Sequence, residues 1–374
     1  MKTEDIWKYN KGEWSEAYTL IKLLGDGKVY ASDENLNKIE DEFYPILKIL
    51  KIEHEKIFFV YDDQELIEVV DLEGRIQKTV KFLDFLEVSE KSFTEIKEGK
   101  GSSFTVPIIE NFLRALGFLK FKAPNKNKSD LTMEIQDLKT FLSKEYTFSI
   151  KSEIGSKPSI LNASNATNFI YKIDGIEEYE FDELMRINKK TDKKWLKLRI
   201  LKILEKINVK NYSLSFHGIE NEQFSKNLKL IDSSLPYILS QALLYYYSTE
   251  KVSDIKLLTE YLVDKNPLKL SDDEKLLFYK SNIIELIRSS TFGMIPTKRW
   301  NKEYDVNGGI LTVKNDGMIL CHHIFYNKKQ LDKYLYQNTK FETGSTTRYK
   351  TGDLYKINNE DGYYFKLNLQ IRMK

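Results

Sequence analysis

Two short segments constrain this chain more than any others. In Asp130-Leu131-Thr132-Met133-Glu134-Ile135 and in Thr147-Phe148-Ser149-Ile150-Lys151-Ser152, apolar and polar residues alternate with the period of a half-buried strand. Asp130, Thr132 and Glu134 therefore share one face of the first strand, and Ser149 and Lys151 share one face of the second. If the strands pair as neighbours, with the polar stretch 137–145 as their turn, Asp130 and Lys151 meet at one end. A carboxylate holds a hard divalent cation, and an ammonium beside it positions a water or offsets charge developing on a phosphate. Such a pair suits phosphodiester hydrolysis. Acid and lysine pairs are also common on solvated strand faces, and spacing alone favours that reading.

The segment that follows, 153–171, supplies Ser156, Ser159, Asn162, Ser164, Asn165, Thr167 and Asn168 with few charges. Neutral amides and hydroxyls contact phosphates and base edges; they also build ordinary turns. Near the start, Trp14, Ala17, Tyr18, Ile21 and Leu24 follow helical spacing, which predicts a helix stopping at Gly25. Glu13 and Glu16 lie three apart in its opening turns, where acids suit the positive end of the helix dipole. The functional alternative is that Glu16 reaches a metal held by Asp130.

Charge excludes a globally basic nucleic-acid binder: 58 basic residues against 56 acidic give a net +2. Any DNA surface has to come from segregated positive patches. With 41% hydrophobic and 13% aromatic residues in 374, the chain fills a sizeable core and disorder is not expected. The single cysteine, Cys321, allows no internal disulfide or CxxC zinc site, and the first residues lack a signal peptide's apolar core, so a cytoplasmic protein is expected. The most apolar stretch, 235–247, is interrupted by Ser240 and Gln241 and falls short of the roughly 20 residues a bilayer needs. It reads as a buried helix, and no membrane partner is expected.

Along the chain, 29–73 reads as short antiparallel strands, 75–98 as a helix, and 107–116 as a helix opened by Pro107. The lysine-rich loop 120–128, immediately before Asp130, offers a positive contact for a phosphate backbone. Helices are expected at 177–188 and 193–207, separated by a basic turn at 189–194, and again at 235–247, 252–263 and 271–288. A hairpin follows at 308–317, turning on Asn315-Asp316-Gly317. His322 and His323 point to opposite faces of its continuation, a poor chelate, with one expected packed and the other exposed. A helix at 328–338, a polar loop at 343–348 and terminal strands within 354–373 complete the reading.

Three blocks in this order, KGEWSEAYTLIKLLGDGKVY (11–30), FSIKSEIGSKPSILNASNATNFIYKI (148–173) and NTKFETGSTTRYKTGDLYKINNEDGYYFKLNLQIR (338–372), resemble the HpaII-type restriction endonucleases over nearly the whole chain. The resemblance implies a mixed α/β fold: a restriction-endonuclease-like PD-(D/E)xK core, with a central mixed sheet flanked by helices. Residues 1–175 would be the nuclease core, 176–290 a helix-rich insertion and 291–374 a β-rich, DNA-contacting region packed on the core. It implies Mg²⁺-dependent hydrolysis of double-stranded DNA at a short palindrome, CCGG, and a cognate DNA methyltransferase protecting the host. Palindromic sites favour a two-fold homodimer.

Residue by residue, Asp130 matches the family's first acid, Lys151 its lysine and Glu16 the glutamate on the first core helix. Ser149 stands where an acid is usual two residues before the lysine, and Ser129 replaces the proline before Asp130. Glu16, Glu134 or Glu153 can then supply the second metal ligand. Base readout falls to Lys157, Asn162, Ser164, Asn165, Thr167 and Asn168, and to Ser345, Thr346, Thr347 and Arg348, whose guanidinium fork matches guanine. The missing acid also fits a DNA-binding module without catalysis, and a nuclease acting on modified DNA is a further alternative.

Overall fold

Helix α1 (Lys11–Asp26) realises the predicted spacing, with Trp14, Ala17, Tyr18, Ile21 and Leu24 all buried. Its start is a capping box: Asn10 Oδ1 accepts from the Glu13 amide at 3.0 Å, and Glu13 Oε2 accepts from the Asn10 amide at 2.9 Å. The helix does not stop at Gly25. That residue stays helical because α2 (Phe82–Glu98) packs so closely that a Cβ there would lie 2.9 Å from the Leu86 amide nitrogen. Gly27, at φ 64°, forms the left-handed cap and donates to Leu23 O at 3.0 Å.

The structure is a computed structural model describing residues 6–51, 54–61, 65–121, 129–189, 196–249, 252–357 and 362–374. Most of the lysine-rich loop at 120–128 and of the basic turn at 189–194 lies outside the described residues. The chain forms two compact units, 1–158 with 304–334 and 159–303 with 335–374.

The first unit is built on a mixed sheet, with α1, α2 and α3 (Pro107–Ala115). Its strands, labelled in chain order through both units, are β1 (Lys28–Ser32), β2 (Lys38–Lys51), β3 (Lys56–Tyr61), β4 (Leu66–Val70), β5 (Ile76–Lys81), β6 (Leu131–Gln136), β7 (Ser143–Ser152), β11 (Gly309–Val313) and β12 (Ile319–His323). They lie in the order β1-β12-β11-β7-β6-β2-β3-β4-β5. The run β2-β6-β7 is antiparallel, and β11 joins β7 in parallel. Long β2 pairs twice, 38–45 with β1 and 46–51 with β6 and β3, changing partner next to Pro45. The stretch 75–98, expected as one helix, divides. Thr79 and the half-buried Val80 suit a pleated strand and pair with β4 at the sheet edge, and the helix begins only at Phe82.

The second unit holds two antiparallel sheets. One runs β10 (Ser213–Ile219), β9 (Asn168–Asp174), β15 (Tyr363–Asn368), β14 (Leu354–Lys356), and the other β13 (Thr339–Phe341), β16 (Ile371–Met373), β8 (Ser159–Leu161). The expected helices are present with shifted ends as α4 (Glu178–Lys189), α5 (Leu196–Val209), α7 (Leu235–Ser248), α8 (Ile255–Lys265) and α9 (Lys275–Phe292), joined by α6 (Glu222–Ile231). Helix α10 (Lys328–Gln337) leads into β13, and the polar loop contains the short α11 (Thr346–Tyr349). Among the described residues no helix is long and apolar enough to cross a membrane.

His322 and His323 depart from expectation, because both are fully buried. β12 is an interior strand covered on both faces, so alternation exposes neither. His322 Nε2 lies 2.8 Å from Asp33 O, and its ring stacks on Tyr334 at 4.3 Å. His323 Nδ1 accepts from the Phe325 and Tyr326 amides at 3.2 and 3.3 Å, with its ring among Tyr146 and Tyr326. Burial pushes the His322 imidazole down to about 4 and that of His323 to about 3. The unfolded chain protonates both below about pH 6.5 while the folded chain does not. Stability is therefore full above that pH and falls on acidification by about 1.4 kcal/mol per pH unit for each imidazole. Denaturant melts are expected to give a clearly lower midpoint at pH 5 than at pH 7.5; equal midpoints would contradict this assignment.

Candidate active site

β6 and β7 pair with Leu131 opposite Phe148, which sets Asp130 opposite Ser149 just past the end of the ladder. The Asp130 amide donates to Phe148 O at 2.9 Å. The return bond goes to the side chain: Asp130 Oδ2 accepts from the Ile150 amide at 2.7 Å and from the Ser149 hydroxyl at 3.2 Å. The carboxylate thus takes the place a backbone carbonyl would hold in a continued ladder, and the Asp130 carbonyl instead accepts from Lys51 Nζ at 3.3 Å. A charged acceptor gripped by a main-chain donor has a fixed orientation. Among the described residues its other oxygen, Oδ1, carries no hydrogen bond.

Lys151 lies on the same face of β7 as Ser149. It is half-buried and, among the described residues, its side chain makes no hydrogen bond or ion pair. The opposite face of β7 is packed by Phe148, Ile150 and Ser152. There Ser152 Oγ lies 2.9 Å from Ser15 Oγ of α1, which docks the helix at the Lys151 end of the strand. Half-buried Glu16 is the next residue of that helix.

The remaining acids have other partners. Glu153 Oε2 accepts from the Asn315 amide at 3.2 Å, tying the end of β7 to the β11–β12 turn. Glu134 pairs with Lys48 at 3.2 Å, which also reaches Glu145 at 2.6 Å. It lies four residues along from Asp130, about 13 Å in an extended strand. Among the described residues no three His, Cys, Asp or Glu side chains are grouped to hold a metal ion.

Lys51 is the neighbour that sequence reasoning missed. It is almost fully buried, with its ammonium 5.1 Å from the Phe121 ring centroid and against the Asp130 carbonyl. It lies within the run at 46–52, and its meaning emerges only once β2 is known to lie beside β6.

In the second unit the amide-rich turn meets the polar loop. Asn168 is buried: its Nδ2 donates to Glu220 Oε2 at 2.6 Å and Tyr349 O at 3.0 Å, and its Oδ1 accepts from Asn368 Nδ2 at 2.8 Å. Thr167 Oγ1 accepts from the Ser164 amide and from Asn368 Nδ2, both at 3.1 Å, while Asn368 Nδ2 also reaches Ser164 O at 2.7 Å. Ser164, Thr167 and Asn168 thus pin the turn. Ser345 Oγ accepts from the Arg348 amide at 3.2 Å as the cap of α11, whose first residues are Thr346 and Thr347. Asn162, Asn165 and Arg348 are exposed, and Arg348 has no ion pair among the described residues. In the first unit, Lys157 is exposed near its end.

A sequence model of the HpaII restriction endonuclease family matches residues 10–373. The chain is 36% identical over 371 residues, covering 98% of itself and 99% of the relative, to the type II restriction enzyme HpaII of Haemophilus parainfluenzae. No solved structure matches it. With both matches running through Asp130, Lys151 and the amide-rich turn, the chain belongs to the HpaII restriction endonuclease family and is thereby a type II site-specific deoxyribonuclease.

Proposed function

We propose that this chain hydrolyses phosphodiester bonds of double-stranded DNA at a short palindrome, CCGG by likeness to its family, with Mg²⁺ held at Asp130. The observation that carries the reading is the end of β6 and β7, where an oriented carboxylate with one open oxygen lies opposite Ser149, two residues before a lysine whose side chain is free of ion pairs among the described residues. The mixed sheet, in which β11 joins the antiparallel β2-β6-β7 in parallel, supports a PD-(D/E)xK core.

The donors fit this ion. Magnesium binds through one or two carboxylates and completes its shell with water and phosphate oxygens, so a site without three grouped acids is ordinary for it. Asp130 Oδ1 would supply one carboxylate oxygen and, by likeness to the family, Glu16 the second. The bound ion contributes charge neutralisation and a more acidic water. Ile150 and Ser149 hold Asp130 in place; an ionised acid at 149 could not donate to it as the serine hydroxyl does. Lys151 orients the attacking water and offsets charge on the pentacoordinate phosphate.

Arg348, Asn162 and Asn165 read base edges from positions fixed by Ser164, Thr167, Asn168 and Ser345. Thr346 and Thr347 belong to the same reading loop, and Lys157 contacts a phosphate. A two-fold homodimer matches the palindrome, and a cognate methyltransferase modifies the same site in host DNA.

Asp130→Asn keeps an acceptor for the Ile150 amide, so it should fold normally while cleavage of a CCGG-containing plasmid in Mg²⁺ drops by about 10²–10³-fold or more, as should Lys151→Ala. Wild-type cutting by either variant would sink the assignment. The two helix acids should separate by readout. Glu13→Ala loses about 1 kcal/mol of stability through the capping box and keeps cutting, whereas Glu16→Gln loses cutting; loss of cutting in the Glu13 variant alone would move the role to Glu13.

A further inference from the structure

The second unit carries a groove of about 680 Å³ lined by Gln223, Lys226, Lys229, Arg299, Trp300 and Lys302. Helix α6 forms one wall. Its buried face is Phe224, Asn227 and Leu228, so Lys226 between them and Lys229 just after them turn outward. The segment 295–302 forms the other wall and is held rigidly by the buried Asn227. Asn227 Nδ2 donates to Lys298 O at 2.8 Å and Ile295 O at 3.3 Å, and its Oδ1 accepts from the Trp300 amide at 3.3 Å. Trp300 is itself buried and donates through Nε1 to Glu303 O at 2.8 Å, which fixes the residues on either side of it.

The charge of this groove is not balanced. Lys226 pairs with Glu222 at 2.7 Å, and Glu303 accepts from Asn301 at 2.6 Å. Exposed Lys229, Arg299 and Lys302 have no ion pair among the described residues. A second groove, near His54 and Lys56, differs: its Arg75 is neutralised by Asp71 at 2.8 Å and Glu73 at 2.7 Å. In a chain whose total charge is only +2, three uncompensated cations on two braced walls form a segregated patch of the kind a polyanion needs.

We infer that this groove is a docking site for the phosphate backbone of duplex DNA, separate from the residues that read bases. The inference rests on the DNA-cleaving reading above. Lys229, Arg299 and Lys302 each neutralise a phosphate and displace its condensed counterion, adding affinity without sequence preference.

The test uses the full chain and a triple variant, Lys229→Ala with Arg299→Ala and Lys302→Ala. Binding to short duplexes with and without CCGG is measured without Mg²⁺ across a salt series. Loss of three phosphate contacts should make the slope of log affinity against log salt shallower by about 2.7. Both duplexes should weaken alike, and the single-turnover cleavage rate at saturating protein in Mg²⁺ should stay unchanged. Lys229→Arg with Lys302→Arg should keep the wild-type slope. An unchanged slope in the alanine triple, weakening confined to the CCGG duplex, or a slope lost equally in the arginine variant would overturn the proposal. If the wild-type chain failed to bind either duplex at any salt, the DNA-cleaving reading itself would fall, an outcome distinct from these.

Discussion

The hydrogen bond from the Ile150 amide to Asp130 Oδ2 is the interaction on which the candidate site depends. A main-chain donor to a charged acceptor contributes about 1.5–3 kcal/mol net, and here it also decides where the carboxylate points. The register behind it is secured by the core: Leu131, Met133 and Ile135 of β6 and Phe148 and Ile150 of β7 are buried on the face towards α1. A slip of one residue would turn Asp130 into that core. The hydrophobic face thus fixes a polar geometry it never touches.

The parts of this site visible in the sequence were those set by short-range periodicity. Alternation identified both strands and the shared face of Ser149 and Lys151, because a half-buried strand writes its two environments into neighbouring residues. Environments created by distant chain were not visible. Gly25 resembled a helix stop until α2 was known to press on it. His322 and His323 resembled an in-and-out pair, which fails in a strand covered on both faces. The segment 75–98 hid an edge strand because its pairing partner, β4, lies outside the pattern. Lys51 gained its meaning only from the neighbour that β2 acquires.

The amide-rich turn shows how composition misleads about role. Ser164, Thr167 and Asn168 suggested a surface rich in donors, yet they spend those groups on one another, on Asn368 and on Tyr349. This is the normal fate of buried polar atoms, which are costly unless paired. The network nevertheless serves recognition in the proposed reading, since it holds exposed Asn162 and Asn165 on a braced turn. Net charge misleads in the same way: a total near zero conceals cations that folding gathers on α6 and the segment after α9.

The central claim is that the Asp130 and Lys151 end of the sheet cuts duplex DNA at one short palindrome. Sequencing the ends released when unmethylated genomic DNA is digested by this protein in Mg²⁺ tests it most directly, since it reports activity, site and stagger together. The expected result is ends that fall on CCGG with a single, constant offset on the two strands. Ends no more frequent than in a no-enzyme control, or ends sharing no palindrome, would contradict it.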